Sequence, residues 1–395
     1  MKRLNATIQK TLAELGFSDL TEVQSAALTP ALEGKDLIVQ AYTGTGKTLA
    51  FLLPALTQVS GDLHPQILVL EPTRELAVQV SNDAFKLCKA LCIRGALIYG
   101  GAGMEPQIKQ LRNGAQLVIG TPGRILDLID RRVLNLSKVK TLILDEADVM
   151  LDMGFQRDVT NIISFTPKTR QTMLFCVDLP SEITHLAQKH MRNPVHINLL
   201  KEEKTKHSVT QWLYEIDPRK RMKFLIYLLR ELKPTRSIIF CRTKFSTRKL
   251  AYQLQNEGFN CQELHGNLSQ HRREEIMGAF KAGELDLLIA TDVAARGIHV
   301  NKISHVFNYE LPADVKYYLH RIGRTGRMDA IGDAISLVAP QDRQVLRDIE
   351  RLIGKDIERK PTPDQFKFNA AADALNQKPH GFRRFSFGPK RRMFG

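Results

Sequence analysis

Two short strings, each directly behind an apolar run, constrain this chain more than anything else in it. Residues 41–48 read Ala-Tyr-Thr-Gly-Thr-Gly-Lys-Thr and follow Asp36-Leu37-Ile38-Val39-Gln40. A buried strand, a glycine loop and a helix opening on Thr48-Leu49-Ala50-Phe51-Leu52-Leu53 make a P-loop, with Ala41 where the first glycine usually stands. Gly44 and Gly46 let the backbone curl so that its N–H groups point at phosphate oxygens, and Thr43 and Thr45 complete the cradle. Lys47 can reach the β- and γ-phosphates, and the Thr48 hydroxyl can hold Mg²⁺. The second string, Asp-Glu-Ala-Asp at 145–148, follows Thr141-Leu142-Ile143-Leu144. Four apolar residues in a row suit a parallel strand buried on both faces. Asp145 then lies at the carboxyl end of that strand, where open α/β sheets bind ligands. There it can hold Mg²⁺ through water, while Glu146 orients or deprotonates an attacking water. Together the strings describe a site that hydrolyses a nucleoside triphosphate.

The remainder of the chain has to supply a partner and a second half. At 395 residues it is long enough for two domains, and 43% hydrophobic content is enough for two cores. A net charge of +15 points to a polyanionic partner, most simply nucleic acid. No apolar stretch reaches the length of a membrane span, and Met1-Lys2-Arg3-Leu4-Asn5 lacks the apolar core of a signal peptide. The protein is therefore expected in the cytoplasm, with no membrane partner. Cysteines at 88, 92, 176, 241 and 261 show no zinc-knuckle spacing and read as reduced thiols. Cys88 and Cys92, one helical turn apart near Phe85, Leu87 and Leu91, read as the core face of a helix.

Apolar runs alternate with helical patterns along the chain. The first series is Leu37-Val39, Ile67-Leu70, Ala96-Tyr99, Leu117-Ile119, Leu142-Leu144 and Met173-Phe175. The second is Ile238-Cys241, Cys261-Leu264, Leu287-Ile289, His305-Tyr309 and Ala334-Val338. Such alternation predicts parallel sheets covered by helices, and the restart predicts two of them. The expected fold class is α/β, with domains over 1–200 and 209–360 joined by a charged linker at 201–208. Residues 361–395 are expected to form a basic flexible tail. Its last part, 378–395, carries six Lys and Arg, no acid, and interleaved Phe382, Phe385, Phe387 and Phe394.

The order of further strings resembles the DEAD-box RNA helicases over about residues 12–340. In the first half these are Gly16-Phe17 with Gln24, Pro72-Thr73-Arg74-Glu75-Leu76-Ala77, Gly100-Gly101, Thr121-Pro122-Gly123-Arg124 and Leu151-Asp152-Met153-Gly154-Phe155. In the second they are His265-Gly266 with Gln270 and Arg273, Thr291-Asp292-Val293-Ala294-Ala295-Arg296-Gly297, and His320-Arg321-Ile322-Gly323-Arg324-Thr325-Gly326-Arg327. The resemblance implies two RecA-like domains facing across a cleft, with ATP on the first and RNA across both. It makes Arg324 and Arg327 arginine fingers from the second domain, so that the chemistry is complete only when the cleft closes. It makes His320 a partner of the acidic box and Gln24 the reader of adenine. For RNA it implies contacts to the sugar-phosphate backbone from Thr73, Arg74, Gly101, Thr121, Gly123 and Arg124, and from Arg242, Gly266, Gln270, Arg273, Thr291 and Arg296. Such contacts carry no base code, so binding is expected to be sequence-independent and salt-sensitive.

Three departures from the family pattern bear on mechanism. Cys176-Val177-Asp178 replaces the usual Ser-Ala-Thr, which removes two hydroxyls and adds a carboxylate near Asp145, Glu146 and Asp148; His320 is its candidate partner. His299 stands where an aspartate is usual, and no aromatic precedes Phe17 to pack on the adenine. The hydrolytic residues are kept, while the altered ones connect nucleotide state to closure. The reading is an ATP- and Mg²⁺-dependent RNA helicase or RNA chaperone that opens short duplexes as a monomer. An ATP-gated RNA clamp with weakly coupled unwinding is the alternative.

Overall fold

The computed structural model describes residues 4, 6–14, 16, 19–42, 44–200, 209–295, 300, 303–325 and 332–368. The charged segment 201–208, Phe17, Thr43, Arg296, His299, Arg327 and the basic-aromatic stretch 378–395 lie outside them. Among the described residues, fourteen strands form two sheets of seven, each with helices on both faces. The first sheet is built from β1 (Leu37–Gln40), β2 (Ile67–Leu70), β3 (Gly95–Ile98), β4 (Leu117–Gly120), β5 (Thr141–Leu144), β6 (Gln171–Cys176) and β7 (Val195–Asn198). Its spatial order is β3-β4-β2-β5-β6-β1-β7, and every pair is parallel. The second comprises β8 (Val209–Glu215), β9 (Ser237–Cys241), β10 (Cys261–Leu264), β11 (Leu287–Thr291), β12 (His305–Asn308), β13 (Gly332–Val338) and β14 (Glu358–Arg359). Its order is β10-β11-β9-β12-β13-β8-β14, again parallel throughout.

Three strands escape the sequence reading. In β7, half-buried Val195 and Ile197 alternate with exposed His196 and Asn198 over only four residues, the pattern of an edge. The long β8 mixes Thr210, Gln211 and Glu215 with its apolar residues, and β14 is two exposed residues long. β7 and β14 lie at sheet edges, and β8, paired to β14 over only two residues, is mostly half-buried or exposed, so none of the three needs a continuous apolar run.

The register of the first sheet places the two diagnostic strings side by side. β6 lies between β1 and β5, with Gln40 opposite Cys176 and Leu144 opposite Leu174. The loops after β1, β6 and β5 therefore emerge at neighbouring carboxyl ends. They carry the P-loop, Cys176-Val177-Asp178 and the acidic box. The helix Lys47–Thr57 is fixed beneath the P-loop by packing: Phe51 is fully buried and meets Phe175 of β6 edge-to-face, centroids 5.3 Å apart. Burying one such ring is worth about 1.5–3 kcal/mol, which anchors the loop to the sheet core.

Two boundaries differ from expectation. The helix that carries Cys88 ends at Ala90, so Cys88 is buried while Cys92 is exposed, with φ of 56°. Past residue 360 the chain remains packed on the second domain. Phe366 is buried with its ring 5.0 Å from that of Phe224, and Thr362 donates to the Glu215 carbonyl at 2.8 Å. A single aromatic in a polar stretch gives no periodic signal, so its anchoring is a tertiary property.

Candidate active site and nucleic-acid groove

Local conformation shapes the first half of the site. Gly44 and Gly46 both take positive φ, 90° and 97°, which a side chain would strain. A Cβ at Gly46 would also lie 2.5 Å from Gln24 Nε2. Ala41 is fully buried, and its N–H donates to the Cys176 carbonyl at 3.1 Å, so the loop departs directly from the sheet. The Thr45 hydroxyl donates to the Tyr42 carbonyl at 3.0 Å, and Thr48 is half-buried in the first turn of the helix. Gln24 is buried within the helix Glu22–Leu32. Its Oε1 accepts the Thr21 N–H at 3.0 Å, and its Nε2 donates to the Gly46 carbonyl at 3.1 Å. Both ends of its amide thus bind protein, tying the helix to the P-loop.

Lys47 is 6% exposed, and among the described residues its Nζ has no hydrogen-bond partner. An orphaned buried ammonium costs several kcal/mol unless something anionic meets it. Burial pushes its pKa down, but the carboxylates of Asp145, Glu146 and Asp148 outweigh that and hold it above its ordinary value. Asp145 and Glu146 are each 5% exposed and raised mainly by burial, with Lys47 pulling both back. Asp145 Oδ1 accepts the Glu146 N–H at 3.0 Å. Glu146 sits at φ 47°, ψ 51°, a left-handed conformation rare outside glycine, at the junction of β5 and the next helix. The Arg324 guanidinium, 4% exposed, lowers the Glu146 pKa from across the cleft. The set fits a triphosphate with its magnesium: an unmet ammonium, paired carboxylates and a cradle that a side chain would fill.

The altered segment behind β6 makes contacts of its own. Asp148 Oδ2 accepts the backbone N–H groups of Val177 and Asp178, both at 3.0 Å, and Oδ1 accepts that of Val149. Any residue types but proline at 177 and 178 offer those amides. Carboxylate oxygens of Asp148 and Asp178 and a ring nitrogen of His320 lie within 4.8 Å of one another. Burial and the Asp148 charge raise the Asp178 pKa, while Lys316 opposes them. Burial drives the Cys176 thiol far above its usual range, so it stays neutral.

A groove of about 520 Å³ crosses the cleft. It brings together Thr73, Arg74, Thr121, Gly123 and Arg124 from the first domain and Gly266, Gln270 and Arg273 from the second. Some of these side chains already face protein. Arg74 donates to Gln270 Oε1 across the cleft at 3.0 Å, and Arg273 pairs with Glu75 at 2.9 Å. The Thr73 hydroxyl caps the helix Arg74–Ala90, accepting the Leu76 N–H at 3.3 Å. Both Arg124 terminal nitrogens donate to the Ala102 carbonyl at 3.4 Å. Gly101 packs under Arg74, whose Nη1 would be 2.2 Å from an added Cβ. Arg242 faces elsewhere, donating to the Leu311 carbonyl at 3.1 and 3.2 Å and pairing with Asp342. Thr291 is buried at the end of β11 and is not part of the groove lining.

Known proteins resemble this chain in sequence and in fold. The DEAD/DEAH box helicase model matches residues 21–184, and the helicase conserved C-terminal domain model matches 220–329. The DEAD-box ATP-dependent RNA helicase CshA of Bacillus cereus is 40% identical over 363 residues, covering 91% of this chain and 69% of its own. The chain belongs to the DEAD-box RNA helicase family. Among solved members, Dbp5 of S. cerevisiae bound to RNA and ADP BeF3 superposes with a TM-score of 0.83 at 33% identity, over 92% of this chain and 95% of its own. A Dbp5 complex with Gle1, Nup159, IP6 and ADP, 32% identical over 92% and 96%, gives 0.64.

Three side chains of this DEAD-box site went unassigned in the sequence reading. Arg321 is 1% exposed and pairs through both Nε and Nη2 with Asp292; its Nη1 donates to Asn308 Oδ1 at 3.0 Å and to the Glu310 carbonyl. It fixes the helix Lys316–Ile322, which presents His320, and the adjoining Arg324. Asp152 accepts Lys316 Nζ at 2.7 Å and the Tyr317 hydroxyl at 3.1 Å across the cleft. Glu71, at the end of β2, has no exposure, and neither carboxyl oxygen has a partner among the described residues. Burial, with Asp145 and Glu146 beside it, raises its pKa well above the usual range. Its one sequence signal was an acid directly behind the apolar run Ile67–Leu70.

Proposed function

We propose that this protein is an ATP-dependent RNA helicase that hydrolyses ATP while holding RNA by its backbone and locally parting short duplexes. The observation that carries this reading is the buried, unpartnered Lys47 ammonium among Asp145, Glu146 and Asp148, with Arg324 reaching Glu146 from the other domain. Lys47 binds the outer phosphates, and Glu146 orients the attacking water and holds its proton. Arg324 meets charge developing on the γ-phosphate, assisted by Arg327. Thr48 and Asp145 would hold Mg²⁺, partly through water, and the ion when bound neutralises the phosphate oxygens. Gln24 holds the P-loop to its neighbouring helix as well as facing the nucleotide. The groove residues bind sugar and phosphate, so affinity falls with salt and not with sequence. No helix among the described residues is long and apolar enough to cross a membrane; we place the protein in the cytoplasm. We read it as a monomer.

A second reading, a nucleotide-gated RNA clamp that seldom unwinds, is favoured by one observation. Asp178 stands beside Asp148 and His320, where an extra carboxylate alters the link between the acidic box and the second domain. One experiment separates the two: ATP hydrolysis and strand displacement followed in the same reaction on a short RNA duplex. Stimulated hydrolysis with displacement supports the helicase; stimulated hydrolysis without it supports the clamp. Restoring Ser-Ala-Thr at 176–178 should then raise displacement per ATP if Asp178 weakens coupling.

A further inference from the structure

The helix Lys244–Asn256 begins beside the RNA groove and leaves two aromatic rings in water. Phe245 is 77% exposed and Tyr252 is 66% exposed. Seven residues apart, they lie on one helical face, about 10 Å from each other along the axis. Arg248 and Lys249, also exposed, fall between them on that face, and the whole helix contains no acid. An isolated exposed ring is ordinary, but two rings interleaved with cations on one stripe are the composition of a single-strand stacking platform. The stripe is continuous with the groove. Lys244 Nζ donates to Asn267 Oδ1 at 2.8 Å, and a Cβ at Gly266 would lie 3.6 Å from Lys244 Cε. Gly266 itself lines the groove.

We infer that the stripe Phe245–Arg248–Lys249–Tyr252 is an RNA-binding surface that extends the groove. A single strand leaving the cleft past Gly266 stacks bases on Phe245 and then Tyr252, while Arg248 and Lys249 meet its phosphates. Charge complementarity and continuity with the groove select single-stranded nucleic acid as the occupant. Stacking tolerates any base, in accord with backbone readout in the groove. The inference rests on the proposal that RNA occupies the groove.

The test compares fluorescein-labelled oligouridylates of six and fourteen nucleotides by anisotropy, using the full chain with a non-hydrolysable ATP analogue. The six-mer fills the groove alone; the fourteen-mer also reaches the stripe. Phe245→Ala with Tyr252→Ala is expected to weaken fourteen-mer binding about tenfold and leave six-mer binding unchanged. Phe245→Trp with Tyr252→Trp should restore the fourteen-mer. Equal binding of the fourteen-mer by wild type and the alanine variant overturns the inference, and so does an equal loss on both lengths. Failure of the wild type to bind the six-mer would instead defeat the groove reading.

Discussion

The Asp148 carboxylate accepts the Asp178 backbone N–H at 3.0 Å, so the acidic box is tied to the segment behind β6 through the main chain. The two missing hydroxyls of Cys176-Val177-Asp178 are not needed for that bond. What the segment adds is a carboxylate, and it lies against both Asp148 and His320.

Replacing Asp178 by Asn tests the cost of that carboxylate. Its pKa in the folded protein is raised above the ordinary 3.8, chiefly by burial and then by Asp148. For an acid held up in this way the folded state binds the proton more tightly, and stability falls as pH climbs from 3.8 through the raised value. At pH 7.5 the wild type carries the full penalty, discounted to about 1 kcal/mol or less by partial exposure. Asp178→Asn should therefore melt above wild type at pH 7.5, and the gap should close toward pH 4. Melting curves at several pH values check this; a gap independent of pH would contradict it.

Lys47→Ala should abolish RNA-stimulated ATP hydrolysis, a loss of at least about a hundredfold. RNA binding without nucleotide should be kept, because no residue of the P-loop lines the groove. A phosphate-release assay beside an RNA-binding titration reads both.

Arg324 and Arg321 should separate chemistry from architecture. Arg324→Ala is expected to slow hydrolysis about a thousandfold while lowering stability less than Arg321→Ala does. Arg321→Ala leaves Asp292 without its buried partner and should destabilise the second domain by about 3 kcal/mol. Urea denaturation and turnover measured on both variants would expose a reversal of these roles.

Asp152→Ala removes the Lys316 ion pair and the Tyr317 hydrogen bond across the cleft. Both groups are partly exposed, so about 0.5–1 kcal/mol is at stake, a two- to fivefold loss of the closed form. Energy transfer between dyes on the two domains should report less closure at low salt. Because exposed charges are screened, the difference should vanish near 1 M salt.

Much of the fold and half of the site were written locally. Asp36–Leu53 encodes strand, loop and helix in one contiguous stretch, and apolar runs of four mark strands buried on both faces. The phosphate cradle, the acid at the end of β5 and the alternation of two parallel sheets needed nothing from distant residues. Edge strands β7 and β14 were illegible because an edge does not require an apolar run, and β8, paired to β14 over only two residues, carries polar residues among its apolar ones. Phe366, Arg321 and Glu71 were illegible because their weight comes from burial among groups brought together only by the fold.

The sequence by itself determined the elements, the two-sheet plan and the placing of the P-loop and the acidic box at strand ends, since these depend on short-range geometry and periodicity. Only the tertiary structure decided which groups meet across the cleft. Arg74 with Gln270, Glu75 with Arg273, Asp152 with Lys316, and Asp178 with His320 are set by the docking of the two domains. A pair of side chains more than a hundred residues apart leaves no pattern along the chain, because its geometry is fixed by packing and not by local conformation.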